Sequence, residues 1–276
     1  TAIFFAAVML GGIYWNRYSF QVLFTAIAGV MLWEFFGLVI SSEKSGHAFR
    51  RFAGSFICLM PLLFLKINFL RGGTAIGSFW SIGAGLDTKP ALIALFASLA
   101  LGVYAILRGI SLYNNIRHYL LGLVYISLPI LLLFSLATPD GNYTPNRVFG
   151  LLWLIWTNDT LAYLIGSRFG KRKLWERISP KKTWEGTIGG AAGTVLMAWG
   201  LSYGFSDYSP AQWLALGIIV ALLATPGDLL ESMLKRSAGV KDSGKIMPGH
   251  GGLLDRFDSL IFVLPFAWLA VVLLGG

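Results

Sequence analysis

The sequence predicts an all-α fold: a polytopic transmembrane helical bundle of about nine spans with a cytoplasm-facing polar cavity. Three observations lead there. Of 276 residues, 56% are hydrophobic and only 13% are charged, a balance outside the usual soluble range. Uncharged runs of roughly 18 or more residues recur along the chain, each long enough to cross a hydrocarbon core. These runs are continuously apolar rather than alternating, which argues against a transmembrane β-barrel.

In chain order the expected spans are about 1–14, 19–40, 52–70, 90–107, 119–137, 147–167, 186–204, 211–234 and 253–274. Gly72 to Leu86 is uncharged but short and rich in glycine, so it reads as a loop or re-entrant piece. The whole chain, 1–276, reads as a single integral-membrane domain. Its N-terminal spans fill 1–146, and the spans and loops expected to carry chemistry fill 147–276.

Orientation follows from the basic residues. With this layout 17 of the 22 Lys/Arg fall in loops on one side, including seven between Arg168 and Lys182. The positive-inside bias makes that side cytoplasmic. The formal charge of +9 therefore reports topology, and no nucleic-acid partner is expected. The lone Cys58 lies in an apolar run, so neither disulfides nor thiolate metal sites are expected. No internal repeat is apparent, which weighs against an inverted-repeat transporter.

Against this background, the charged stretch from Glu231 to Leu260 stands out, because charges beside hydrocarbon spans are costly unless they are used. In TPGDLLESMLKR, Asp228, Glu231 and Lys235 are offset by three and four residues and share a helical stripe. Pro226 and Gly227 just before them predict a break or kink. Asp255 and Asp258, in DRFD, share a face at the start of the last span and could hold a hard cation through oxygen ligands. The preceding PGHGG lets backbone N–H groups approach a phosphate closely, with a helix N-terminus following directly. Together with Lys241, Lys245 and His250, this describes a site for metal-bound polyphosphate.

Two further constellations lie upstream. Asp159, beside Asn158 in WLIWTNDTLAYLIG, is an acid within a span, and such acids are functional by default. SPKKTWEG offers Ser179, Lys181, Lys182, Thr183 and Glu185, with lysines for phosphate charge and hydroxyls for phosphate or metal. The GTIGGAAG that follows reads as a face for close helix packing. Lys171 to Lys173 read as an ordinary positive-inside loop. Glu34, in the second span, has no motif around it.

From Ser232 to Asp258 the sequence SMLKRSAGVKDSGKIMPGHGGLLDRFD closely resembles the signature of the phosphatidate cytidylyltransferases, also called CDP-diacylglycerol synthases. That signature runs S-x-L-K-R, four residues, K-D, then P-x-H-G-G-x-x-D-R-x-D. Met247 departs from the usual Leu, Ile or Phe but is apolar and similar in size. NDTLAYLIG, SPKKTWEG and the GD-x-x-ES at Gly227 to Ser232 also look like blocks of that family, so the likeness covers roughly 150–260.

The resemblance implies a Mg²⁺-dependent reaction in which CTP and phosphatidic acid give CDP-diacylglycerol and pyrophosphate. It leaves room for a second cation. It implies Asp228 and Asp255 as leading metal ligands, with Asp159, Glu231 and Asp258 in support. Asp228, Asp255, Lys235, Asp258 and Asp159 form the expected catalytic set. Substrate contacts are expected from Ser179, Lys181, Lys182, Thr183, Glu185, Ser232, Arg236, Lys241, Asp242, His250, Gly251, Gly252 and Arg256. The expected setting is a bacterial inner (plasma) membrane with the active site facing the cytoplasm, among membrane lipids, where apolar faces leave room for a homodimer. The rival readings are a CTP-dependent enzyme acting on another membrane lipid, such as an isoprenoid alcohol or ether-lipid phosphate, and an ion-coupled transporter.

Overall fold

The computed structural model describes residues 2–40, 46–69, 115–139, 142–246 and 251–275. Its helices are α1 (Ala2–Trp15), α2 (Arg17–Val39), α3 (His47–Phe69), α4 (Ile116–Ala137), α5 (Pro145–Phe169), α6 (Trp184–Gly204), α7 (Pro210–Ser237) and α8 (Leu254–Leu273). Five of them, α2, α4, α5, α7 and α8, are long and apolar enough to cross a membrane. They mark the chain as an integral membrane protein. Large apolar side chains such as Leu196 and Leu222 face outward, as lipid contact requires. The expected span at 90–107 and the piece at 72–86 lie outside the described residues.

The described residues are predominantly helical, and the departure from an all-α fold is the loop after α5. There β1 (Lys173–Trp175) pairs antiparallel with β2 (Ser179–Thr183). Of the basic residues read as a plain loop, Lys173 therefore sits on a short hairpin, whose backbone groups pair with each other instead of with water, and Lys171 and Arg172 lead into it. Pro226 lies inside α7. The backbone stays helical through it, so the expected break is absent, although proline still withholds the bond to the carbonyl of Leu222.

The chain divides into two compact units. The first comprises Thr1–Tyr143 with Ser243–Leu254. Asn16 starts α2 with a capping box, accepting from the amides of Tyr18 and Ser19. Phe20, Phe24, Met31, Leu32 and Phe36 of α2 form its core with Ile126, Ile130 and Leu133 of α4. Helix α4 contains a π-helical turn over Leu123–Ser127, just before Pro129. A wider turn there accommodates a ring that cannot join the regular ladder. Buried bonds lock α3 to α4: Ser127 Oγ donates to the Cys58 carbonyl at 2.7 Å, and Cys58 Sγ donates to that of Tyr119 at 3.2 Å. Cys58 is a free thiol, in keeping with its apolar setting.

The second unit comprises Thr144–Asp242 with Asp255–Gly276. Here the GTIGGAAG face does pack closely. A Cβ at Gly186 would lie 2.6 Å from the Ala162 carbonyl oxygen, and one at Gly190 would lie 2.7 Å from that of Asn158. Only glycine lets α6 approach the α5 backbone so nearly. The fully buried Trp213 of α7 lies over Gly150 of α5, and Ser209 and Gln212 close a capping box at the start of α7. These contacts bring α5, the hairpin, α6 and α7 around one polar cavity.

Candidate active site

The cavity has a volume of about 530 Å³. Helix α5 supplies Asp159, Tyr163, Gly166 and Ser167, a stripe at offsets of four, three and one that keeps to one helical face. The hairpin adds Lys173, Lys181, Lys182 and Thr183, α6 adds Thr187, and α7 adds Thr225 and Asp228. Sequence reasoning had singled out Asp159, Lys181, Lys182, Thr183 and Asp228. It passed over Ser167, Thr187 and Thr225, although the helical stripe from Asp159 was a usable signal for Ser167.

Lys182 Nζ forms an ion pair with Asp228 Oδ2 within the cavity. Asp159 lies within electrostatic range of both, and Ser232 Oγ donates to Asp228 Oδ1 at 3.3 Å. Thr183 is the N-cap of α6, its Oγ1 accepting from the Gly186 amide at 3.2 Å. That bond orients the end of β2 and hence the two lysines before it.

A second charged group lies on α7 and α8. Glu231 is fully buried, and Lys235 ion-pairs with it. Lys235 Nζ also donates to Asp255 Oδ1 at 2.5 Å. The offset of four from Glu231 to Lys235 was legible in the sequence; the addition of Asp255 was not. Asp258 is buried on the same helix as Asp255, accepts from the Ser259 amide, and feels the charges of Asp228, Glu231 and Asp159. The five expected metal ligands therefore fall into two sets. Asp159 and Asp228 face the cavity, Glu231 and Asp255 hold Lys235, and Asp258 lies within electrostatic range of members of both.

Other expected contacts have different partners. Glu185 accepts from the amides of Lys171 and Arg172, at 3.1 and 3.2 Å, and so ties down the start of the hairpin. Hydrogen bonds from its own backbone, then from those two amides, hold its carboxyl below the usual carboxylate range. Arg236 is exposed and donates to the Val240 carbonyl at 3.1 Å, closing the end of α7. Ser179 lies on β2 but does not line the cavity, and Lys241 and Asp242 are exposed beyond α7. Arg256 is exposed on the first turn of α8. Gly251, at φ +81°, and Gly252 belong to the first unit. His250 lies outside the described residues.

The profile of the cytidylyltransferase family matches residues 1–274. The chain belongs to this family. A relative from Staphylococcus aureus (strain COL), named phosphatidate cytidylyltransferase, is 42% identical over 148 residues, covering 53% of this chain and 55% of its own. One of the same name from Bacillus subtilis (strain 168) is 38% identical over 185 residues, covering 66% of this chain and 68% of its own. The chain thus spans about half the length of the staphylococcal relatives it matches. Its cavity sets lysines of the hairpin beside carboxylates carried within apolar helices.

Proposed function

We propose that the chain is a membrane nucleotidyltransferase of phospholipid biosynthesis, converting CTP and phosphatidic acid to CDP-diacylglycerol and pyrophosphate. The observation that carries this reading is the meeting of Lys181 and Lys182 with Asp159 and Asp228 in one cavity. Family membership and the name shared by the relatives support it. The nine-span layout, with the cavity open to the cytoplasm of a bacterial inner membrane, belongs to the same proposal. It would let CTP arrive from water while the acyl chains stay in lipid.

In the reaction, a phosphate oxygen of phosphatidic acid attacks the α-phosphorus of CTP, and the bond to the departing pyrophosphate breaks. A phosphate monoester has a second pKa of about 6, so its nucleophilic oxygen is already ionised at neutral pH and no strong base is needed. The obstacle is bringing two anions together. Catalysis is therefore positioning and charge neutralisation. Lys181 and Lys182, on the hairpin, bind phosphate oxygens, and Thr183 fixes their direction through its cap.

The donor set here is all oxygen, which suits a hard cation such as Mg²⁺. Among the described residues no three His, Cys, Asp or Glu side chains form a ready metal cage. Asp159 and Asp228 would hold the ion, with Asp258 within electrostatic range of both. Bound there, it would neutralise phosphate charge.

The test is purified protein with α-labelled CTP, Mg²⁺ and phosphatidic acid in mixed micelles. CDP-lipid and pyrophosphate should appear in equal amounts, stop on chelation and resume when Mg²⁺ is restored. Absence of product with an active preparation of folded protein overturns the reading. Product formed only from an isoprenoid alcohol or an ether-lipid phosphate reassigns the lipid.

A further inference from the structure

Glu34 is an acid in the middle of an apolar helix, only 3% exposed, and it belongs to neither charged group described above. A carboxylate so placed requires donors. Its Oε2 accepts the Leu254 amide at 2.8 Å and the Ser243 hydroxyl at 3.2 Å. These two residues begin and end the loop segment that belongs to the first unit.

Two glycines of the same segment lie against the carboxylate. A Cβ at Gly244 would overlap Oε1, and one at Gly252 would lie 2.6 Å from Oε2. One side chain of α2 therefore gathers both ends of the segment, and the glycines make the approach sterically open. Arg51 lies within electrostatic range of Glu34. Its guanidinium stacks over Trp33 at 4.2 Å and donates to the Trp33 carbonyl at 2.7 Å.

We infer that Glu34 is a positioning residue for this loop, which carries Lys245, Gly251 and Gly252. By fixing the loop's ends it sets the affinity for CTP. The inference rests on the proposed function and on the nucleotide contacts that the sequence leads one to expect of this loop. Both donors use Oε2, so an amide oxygen could replace it: the anchor needs an acceptor there, not the charge.

The experiment pairs CTP kinetics with hydrogen exchange of residues 243–254 in the purified protein. Glu34→Ala should speed exchange of that segment about tenfold or more. It should raise KM for CTP about tenfold, the equivalent of about 1.4 kcal/mol, while kcat stays within about threefold. Glu34→Gln should remain close to wild type in both readouts. Gly244→Ala, which crowds the carboxylate without removing it, should also speed exchange and serves if Glu34→Ala does not fold. Unchanged exchange in Glu34→Ala, or in Gly244→Ala where Glu34→Ala does not fold, overturns the anchor. Glu34→Gln matching Glu34→Ala overturns the hydrogen-bond basis. Faster exchange with an unchanged KM supports the anchor but overturns the link to CTP, leaving the lysine-lined cavity reading intact.

Discussion

Lys235 is the most informative residue to change, because sequence and structure assign it different work. The sequence reading places it in the expected catalytic set, as a cation for the phosphates that the family resemblance implies. In the structure its side chain is 10% exposed and lies between Glu231 and Asp255, whose side chains are 0% and 9% exposed. Lys235→Met would leave two buried carboxylates without their shared counter-charge. Removing one partner of a buried ion pair costs about 3–5 kcal/mol. For a chain of this size about 2–4 °C accompanies each kcal/mol, so melting in detergent should fall by roughly 6–20 °C. Glu231→Gln/Lys235→Met removes one carboxylate's charge with the lysine, and should lose at least ~1.5 kcal/mol less than the two single changes summed. The assay is thermal unfolding followed by tryptophan fluorescence, with CTP turnover measured on the same preparations. A Lys235→Met protein that melts with wild type while its KM for CTP rises would refute the counter-ion argument and restore the phosphate contact.

Three other outcomes are expected. Asp228→Asn should lower turnover at least ~100-fold, since it removes charge from the expected metal site; near-normal turnover in folded protein would exclude that role. Lys182→Ala should raise KM for CTP or phosphatidate roughly tenfold, the scale of one charge-assisted hydrogen bond, and an unchanged KM would make Lys182 an orientation charge only. Glu185 has a carboxyl held below its usual range, so its hold on the hairpin should be complete above the ordinary carboxylate range. That hold should be lost as pH falls through the depressed value. Hydrogen exchange at Lys171 and Arg172 should accelerate there, after correction for the intrinsic pH dependence, and Glu185→Ala should abolish the transition; a pH-independent protection factor would contradict it.

Much of the site was legible because its signals are local. Asp159 in a span and SPKKTWEG before a glycine face were each noticeable alone, and they do share a cavity. The glycine face was correctly read as packing, because a small side chain every few residues has few other uses in a membrane helix. The hairpin was missed because strands of three and five residues are too short for an alternating pattern to stand out. The full bonding of Lys235 was missed because Asp255 is twenty residues away.

By itself, the sequence determined that this is a helical membrane protein with its dense charged motifs in the second half. Hydropathy over a span's length and dense motifs are properties of contiguous residues. Only the tertiary structure decided which charge answers which. It gave Lys182 to Asp228, set Lys235 between Glu231 and Asp255, and turned Glu185 to backbone amides. It also carried Glu34 to Ser243 and Leu254, over two hundred residues along the chain. The reason is physical: a charge beside hydrocarbon must find a partner in space, and nothing in local periodicity records where the fold will bring one.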